Sequence, residues 1–539
     1  MRTKLFIISA VVLVTVLVVF IRNYHVPGVS ADGAVYLQIA RNLLLGEGLG
    51  WQALWFPPLF SMVIAAVSYV AGIRELVVAA GIVSAVSGFF LALAVYFLAA
   101  RLFDRTTALC AAVTTACFPH LLSISFSSEA EVLYTLLLVL SLGLFILCIE
   151  KKSFGWAALT GVSFSGTYLS RSEGFLILLF ICLLLISSGS SMERGRLTKL
   201  CCTVLVVFFV VSSPYLLFLH KHYGAWVISP KTSYVMTWMK SRTYHDNDKG
   251  EIFNDELWGV TADGKLGWQK PQGAGDLVVY LMSHPGKSAK IYLQNLAAMV
   301  PGRIPNGSGM EHYPQVFPIY FAVPALLALF FPWGPLSRQK KAIVFAPFLI
   351  LFVLPVFTEG WWKYLVPYAP LLIILAVRGA VFAVAGLWRI RGREGAEERV
   401  ACMAVAIATV LICSRFILVK EMKVQQQSQY NRIRAEYTGE LAMAGKWAVD
   451  RFGPGKNYMV AWSKLIYHLD GLWTPEPVAD PPRLLQFARQ NKVDLVVKEM
   501  VGERYSDEEI MMPPPGLAFE GLYRSKTRNY AVAFYRLVN

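Results

Sequence analysis

Long apolar stretches recur along the chain from its start to about residue 419. Many of them reach the roughly 17 to 25 residues that a helix needs to cross a bilayer, so the pattern predicts a polytopic α-helical membrane protein. The remaining residues, 420–539, mix charged residues and prolines with short apolar runs. This change in pattern predicts a separate soluble domain.

The basic residues indicate how the predicted spans are oriented. Arginine and lysine cluster in every second loop, as the positive-inside rule expects of cytoplasmic loops. The clusters are Arg2 and Lys4; Arg101 and Arg105; Lys151 and Lys152; Arg194, Arg196 and Lys199; Arg338, Lys340 and Lys341; and Arg389, Arg391 and Arg393. The formal net charge of +15 therefore reflects topology and does not indicate a nucleic-acid partner.

The apolar run at 59–72 decides the orientation of every later span. It is short and follows Pro57 and Pro58, which favours a helix lying at the membrane interface. A crossing there would move the next basic clusters outside, so we predict that it does not cross, which gives about eleven crossings in all. The predicted spans lie near 5–22, 79–100, 106–122, 131–149, 155–170, 174–189, 200–219, 314–333, 342–358, 362–386 and 400–419.

This topology predicts two domains. Residues 1–419 form the membrane domain, with a cytoplasmic N-terminus and long external loops at 23–77 and 220–313. Residues 420–539 form an external domain, in which 458–462, 493–497 and 529–537 have the composition of strands and 482–491 that of a helix. We therefore predict a small α/β domain outside the membrane.

Composition excludes several kinds of site. The chain is 56% hydrophobic and 16% charged, and all eight cysteines lie inside apolar spans, which indicates neither a disulfide framework nor a zinc site. We find no nucleotide-binding loop, dinucleotide-binding glycine pattern or nucleophile elbow. An enzyme with an external site has no ATP or nucleotide sugar available, so its activated substrate should be linked to a lipid.

Asp32 is the leading candidate for chemistry, because it follows the first span at the outer side of the membrane. The run Val35–Leu45 after it places Tyr36, Ile39 and Ala40 on one helical face. Asp32 could simply cap this helix, with help from Ser30. It could also be a general base, if burial or a second carboxylate raised its pKa from the usual value of about 3.9.

Two further external turns carry charged residues. Glu129 and Glu131 precede a span, where acidic residues either favour the helix N-terminus or bind a divalent cation or an acceptor. Arg171 and Glu173 lie between two spans and could form a local ion pair or contact substrate directly. Both interpretations stay open at this stage.

Lys231 and Lys363 are cations on the predicted external side, and Tyr364 follows the second of them. Lysines near the end of a span often extend to lipid headgroups. They are also suited to holding a phosphate group that leaves during a transfer reaction.

Several of these segments together resemble the GT-C glycosyltransferases, most closely protein O-mannosyltransferases and lipid A aminoarabinose transferases. The segments, in the family's order over about residues 5 to 385, are Asp32–Leu44, Gly46–Gly48, Pro57–Leu59, Arg101–Phe103, Ser128–Ala130, Ser170–Gly174 and Lys363–Tyr364 with Pro367. The sequence departs from many relatives at Gly33, where a second acid is common, and at Phe56, where Lys or His is common.

The resemblance implies an inverting transfer from a polyprenyl-phosphate sugar to a protein, lipid A or glycan acceptor on the periplasmic side of the bacterial inner membrane. Asp32 matches the catalytic aspartate, and Glu129 matches the acidic position of the second external loop. We predict that Glu131, Tyr36 and Glu173 also serve the acceptor or a metal. The groups expected at the donor phosphate are Lys231, Arg171, Lys363 and Tyr364. The carboxylates could bind a divalent cation, and no other cofactor is predicted.

Two alternatives to an enzyme remain at this stage. A transporter or flippase of lipid-linked sugars should carry charges at mid-membrane and helices broken by Gly or Pro. The ionisable residues here lie mainly at span ends, which weighs against transport. A non-catalytic scaffold of envelope assembly is also compatible with the carboxylates.

Overall fold

The protein forms two compact units, seen in a computed structural model. The structure describes residues 29–188, 191–229, 259–260, 266, 279, 281–299, 303–306, 309–312, 325, 337–357, 364–390, 428–461, 464–477, 479–501, 512–525 and 530–538. One unit, here the helical unit, takes its described residues from Phe56–Leu217 and His284–Lys420. The other, here the sheet unit, takes them from Val29–Trp55, Phe218–Ser283 and Glu421–Asn539. Residues 29–55, an external loop in the sequence analysis, thus group with the C-terminal residues.

The elements below are numbered in chain order. The helices are α1 (Ala31–Leu44), α2 (Leu59–Ala71), α3 (Leu76–Leu102), α4 (Arg105–Cys117), α5 (Pro119–Ile124), α6 (Glu131–Lys151), α7 (Phe154–Ser170), α8 (Glu173–Ser188), α9 (Ser191–Tyr223), α10 (Pro285–Met299), α11 (Arg338–Phe357), α12 (Ala369–Ile390), α13 (Ser428–Phe452), α14 (Leu465–His468) and α15 (Pro481–Gln490). The strands are β1 (Arg303–Asn306), β2 (Gly309–His312), β3 (Lys456–Val460), β4 (Gly471–Pro475), β5 (Leu495–Val501), β6 (Leu517–Arg524) and β7 (Tyr530–Leu537). Short 3-10 helices cover Trp51–Leu54 and Val366–Tyr368.

Four helical segments among the described residues are long and apolar enough to cross a membrane. They are Leu76–Leu102, Glu131–Lys151, Glu193–Tyr223 and Val366–Ala383. The chain is a multi-pass membrane protein, and the count of about eleven crossings stays a prediction. The spans predicted near 5–22 and 400–419, and nearly all of 314–333, lie outside the described residues.

The span predicted near 106–122 is wrong as a single helix. Helix α4 ends at Cys117 and α5 begins at Pro119, with Phe118 in an extended conformation between them (φ −71°, ψ 119°). Proline disfavours the helical conformation in the residue before it and is well accommodated at a helix start. Pro119 therefore divides this apolar run into two helices.

The short apolar run at 59–72 forms helix α2, which has 13 residues. It ends at Gly72, whose φ of +66° is the left-handed conformation that favours glycine at a helix C-terminus. Tyr69 and Val70 near this end are 82% and 84% exposed. A non-crossing position for this helix at the membrane interface stays a prediction.

Close approach and buried hydroxyl groups hold α7 to α9 in the helical unit. A side chain at Gly161 would meet the Val204 carbonyl oxygen at 2.6 Å, so only glycine permits this spacing. Ser165 Oγ donates to the carbonyl oxygen of Phe208 on α9 at 2.8 Å. Small residues and interhelical hydrogen bonds are typical of helix packing in membranes.

The sheet unit contains a five-stranded mixed sheet in the order β4-β3-β5-β7-β6. Strands β4, β3 and β5 run parallel, whereas β7 pairs antiparallel with both β5 and β6. The predicted strands at 458–462, 493–497 and 529–537 and the predicted helix at 482–491 correspond to β3, β5, β7 and α15. The two edge strands, β4 and β6, were not predicted, because neither has the continuous apolar run of a buried strand.

Candidate functional site

Asp32 lies in the first turn of α1, one position inside the helix. Ser30 is the N-cap residue (φ −84°, ψ 168°), and its Oγ accepts a hydrogen bond from the Gly33 backbone N–H at 2.9 Å. The capping role that Asp32 could have played is thus taken by Ser30. Asp32 is half-buried, and a carboxylate in the first turn is favoured by the helix dipole.

The rest of α1 is unusually buried for a helix with this many polar residues. All eight residues from Gly33 to Ala40 are buried, including Tyr36, one turn after Asp32 and 5% exposed. Gln38 Nε2 donates to Asn42 Oδ1 at 3.3 Å, and Asn42 Nδ2 donates to Gln52 Oε1 at 3.2 Å. These hydrogen bonds satisfy buried amides that would otherwise destabilise the fold. The polar side chains Gln38 and Asn42 of α1 are therefore compatible with its burial.

A buried ion cluster lies where three helix ends of the helical unit meet. Arg171 follows the end of α7, while Glu131 and Glu173 are the first residues of α6 and α8. Arg171 Nη1 lies 2.7 Å from Glu131 Oε1, and Nη2 lies 3.0 Å from Glu173 Oε1. Their side chains are only 7%, 4% and 16% exposed, in the order Arg171, Glu131, Glu173. The predicted local pair of Arg171 with Glu173 is present, and Glu131 joins it.

Aromatic rings flank the guanidinium of Arg171. Its Cζ lies 4.9 Å from the centre of the Tyr364 ring and 5.8 Å from that of Tyr134. Arginine over the face of a tyrosine gains a cation–π attraction, which is stronger where water is excluded. Tyr134 is 1% exposed and belongs to α6, one turn after Glu131. Arg171 is therefore held by two carboxylates and two rings.

The cluster carries two carboxylates against one guanidinium. Glu131 Oε2 is buried and has no hydrogen-bond partner among the described residues. Arg171 directs two of its five N–H donors to these carboxylates, so a phosphate bound at this guanidinium would share it with Glu131 and Glu173. The structure adds Glu131 and Tyr364, which lie elsewhere in the sequence, to the predicted pair of Arg171 and Glu173.

Glu129 lies in the turn before α6 and is half-buried. The turn is tied to α3, because Ser84 Oγ donates to the Ser127 carbonyl oxygen at 2.7 Å. A weaker contact joins the Glu129 N–H to Ser127 Oγ at 3.4 Å. The turn that carries Glu129 is thus hydrogen-bonded to α3 within the helical unit.

Two of the predicted site residues, Lys231 and Lys363, lie outside the described residues. Within the described ranges, no group of three His, Cys, Asp or Glu side chains could hold a metal ion. A divalent cation therefore stays a prediction from the carboxylates.

Tyr134, Gln38 and Arg41 were not predicted as site residues from the sequence. Gln38 and Asn42 gave a usable signal, because polar residues spaced by four within an otherwise apolar helix share one face. Tyr134 gave none, since a tyrosine in an apolar span is usually ordinary core.

Comparisons with known proteins point to one group of membrane enzymes. Residues 56–218 match the sequence profile of the dolichyl-phosphate-mannose-protein mannosyltransferase family. No curated protein matches the sequence. Among solved structures, the oligosaccharyltransferase AglB from Archaeoglobus fulgidus, in complex with an inhibitory peptide and a dolichol-phosphate, is similar with a TM-score of 0.54 and 14% identity over 90% of this chain and 69% of that one.

A second solved structure is similar over nearly its whole length. ArnT from Cupriavidus metallidurans bound to undecaprenyl phosphate has a TM-score of 0.52 and 13% identity, over 99% of this chain and 98% of that one. At these identities the likeness shows the fold. Together with the profile match, it confirms that this chain resembles the GT-C glycosyltransferases and shares their fold.

Proposed function

We propose that this protein is an inverting glycosyltransferase that moves a sugar from a polyprenyl-phosphate donor to an acceptor on the periplasmic side of a bacterial inner membrane. The observation that carries the proposal is the placement of Asp32: half-buried, in the first turn of a buried helix that Ser30 caps. It is supported by AglB and ArnT, similar folds solved with dolichol-phosphate and undecaprenyl phosphate.

In the proposed reaction, Asp32 removes the proton from the acceptor's nucleophilic oxygen or nitrogen. That atom attacks the anomeric carbon of the donor sugar from the face opposite the phosphate. The bond between the anomeric carbon and the phosphate oxygen breaks, and polyprenyl phosphate leaves with the electron pair. A phosphate leaving group needs neighbouring cations rather than a general acid. One carboxylate base therefore suffices, in contrast to the carboxyl pair of glycoside hydrolases.

We assign roles to the remaining predicted site residues by asking whether another charged side chain already pairs with them. We assign the donor phosphate first to Lys231 and Lys363. Arg171, with Tyr364 on its face, could join them while it shares its guanidinium with Glu131 and Glu173, to which it is paired. Proposed contacts with the acceptor, or with a metal, fall first to Glu129 and Tyr36, since Glu131 and Glu173 are committed to Arg171.

The test uses purified full-length protein in detergent with a panel of polyprenyl-phosphate sugars and hydroxyl-bearing peptide or lipid A acceptors. Release of polyprenyl phosphate is compared between wild type, Asp32→Asn and Glu47→Gln. Glu47 is a matched control, because it is an exposed carboxylate just after the same helix. We expect release by wild type and the control, and a loss of roughly a thousandfold or more with Asp32→Asn.

Two outcomes would contradict the proposal. Equal release by wild type and Asp32→Asn would move the base elsewhere. A wild type that releases no polyprenyl phosphate, yet moves lipid-linked sugar between the leaflets of reconstituted vesicles, would favour the transporter.

A further inference from the structure

Strand β4 lies at one edge of the five-stranded sheet, and α1 packs against it. The Asp470 carbonyl, just before the strand, accepts a hydrogen bond from the Gly455 N–H on the β3 side at 2.8 Å. Because successive carbonyls of an extended chain alternate in direction, those of Gly471 and Trp473 face the open edge. Such an edge needs hydrogen-bond donors or a cover.

Side chains from α1 and the turn after it supply these donors. Gln38 Nε2 lies 2.9 Å from the Gly471 carbonyl oxygen, and Trp51 Nε1 lies 2.7 Å from that of Trp473. The rings of Trp51 and Trp473 meet edge to face, with their centres 4.6 Å apart. Among the described residues, side chains and not a further strand therefore satisfy this edge of the sheet.

Arg41 continues this row of contacts. Its Nη1 donates to the Leu469 carbonyl oxygen at 2.8 Å, and its Nη2 to that of Tyr467 at 3.3 Å. The accepting carbonyls therefore belong to alternate residues from Tyr467 to Trp473. Hydrogen bonds from a charged donor are stronger than neutral ones, so Arg41 makes the largest single contribution to the row.

On α1, the face that bears Arg41 is different from the face that bears Asp32. Arg41 follows Asp32 by nine positions, which is about two and a half helical turns and about 13 Å along the axis. The two side chains therefore project from opposite sides of the helix. Contacts made by Arg41 fix the helix without occupying the side on which Asp32 lies.

We infer that the C-terminal domain, residues 420–539, positions the proposed base. Its segment 467–473 binds Arg41, Gln38 and Trp51 and thereby fixes α1 and Asp32. Arg41 is the principal positioning residue. The inference rests on the proposed function, since it assigns a role to contacts with the helix that bears the base. A reacting group displaced by about 1 Å loses on the order of a hundredfold in rate, so a loosened helix should affect catalysis strongly.

The experiment combines a physical readout with a kinetic one, on the full-length protein in detergent. Amide hydrogen exchange of residues 31–44 is compared between wild type, Arg41→Ala, Arg41→Lys and Trp51→Phe. Arg489→Ala is the matched control, because Arg489 also donates to a main-chain carbonyl, that of Val538, at 2.8 Å. Release of polyprenyl phosphate is then measured with the donor that wild type accepts.

We expect Arg41→Ala to speed exchange in α1 roughly tenfold or more, and to lower kcat roughly ten- to a hundredfold with an unchanged KM for the donor. Arg41→Lys should recover part of both losses, and Arg489→Ala should change neither. If Arg41→Ala also loses protection from exchange in β5, the variant has unfolded. In that case Trp51→Phe is the test of the inference, and we expect it to change exchange and kcat in the same direction by a smaller factor.

Unchanged exchange in α1, or faster exchange with a normal kcat, would overturn the inference while leaving the proposed function intact. A rise in KM with an unchanged kcat would also overturn it, because positioning of the base should affect the chemical step. A wild type that releases no polyprenyl phosphate from any donor would instead overturn the proposed function itself.

Discussion

The guanidinium of Arg171 lies 2.7 Å from the carboxylate of Glu131, across two helix ends that are 40 residues apart in the chain. Both side chains are almost fully buried, and Glu173 completes the contact from a third helix. A charge removed from water in this way is stable only while its partners remain. This pair therefore fixes the mutual arrangement of α6, α7 and α8 within the helical unit.

Replacement of one member of this cluster should destabilise the protein strongly. We expect Arg171→Ala to cost about 3–5 kcal/mol, because it leaves two buried carboxylates without their cation. The measurement is the thermal midpoint of unfolding in detergent. Arg483→Ala is the control, since Arg483 lies 3.9 Å from Asp480 where both side chains are more than half exposed, and such pairs contribute little. Equal shifts for the two variants would contradict this account.

Substitutions at Ser30 and at Asp32 should have different effects on the stability of α1. Ser30→Ala removes the cap and should cost about 0.5–2 kcal/mol of local stability, seen as faster amide exchange at the start of α1. Ser30→Asp should restore it, because aspartate also caps helices well. Asp32→Asn should change exchange little. If Asp32→Asn loosened the helix as much as Ser30→Ala does, Asp32 would be acting as the cap.

Gly445 marks a close approach of α13 to α14 in the sheet unit. A side chain at this position would lie 2.6 Å from the Cβ of His468, so Gly445→Ala should force the helices apart and cost about 1–3 kcal/mol. Gly439→Ala is the matched control on the same helix, since nothing lies within 4 Å of its added Cβ. That variant should be neutral or more stable by up to about 1 kcal/mol. Comparison of thermal midpoints distinguishes the two.

His468 should make the sheet unit less stable in mild acid. Burial first, and then the charge of Arg41, lower the pKa of this imidazole from 6.5 to about 4. As the pH falls, the His468 imidazole is therefore protonated near pH 6.5 in the unfolded chain but only near pH 4 in the folded protein. Stability is greatest above pH 6.5 and falls as the pH decreases towards 4, by up to about 3 kcal/mol for this group.

The check is the thermal midpoint measured from pH 4 to pH 7 for wild type and His468→Gln. Because the variant lacks this titrating group, its midpoint should fall less over the same range. Parallel curves would show that His468 keeps an ordinary pKa in the folded protein.

Much of the helical unit follows from the pattern of the sequence. Apolar length alone predicts the cores of α3, α6, α7, α8 and α9, because a bilayer demands a fixed span of apolar residues. The division at Pro119 shows the limit of that rule, since a single proline overrides a continuous apolar run. The edge strands β4 and β6 escaped prediction because their pattern is set by neighbours elsewhere in the chain.

The sequence by itself identified Asp32, Glu129, Arg171 and Glu173 as charged residues near span ends, and their order indicated the GT-C resemblance that the fold confirms. Only the tertiary structure joined Arg171 to Glu131 and seated Arg41 on the carbonyls of residues 467 and 469. The physical reason is distance along the chain. Local sequence patterns predict helices and their caps. Ion pairs and contacts at a sheet edge join residues up to about 430 positions apart, and only folding brings such residues together.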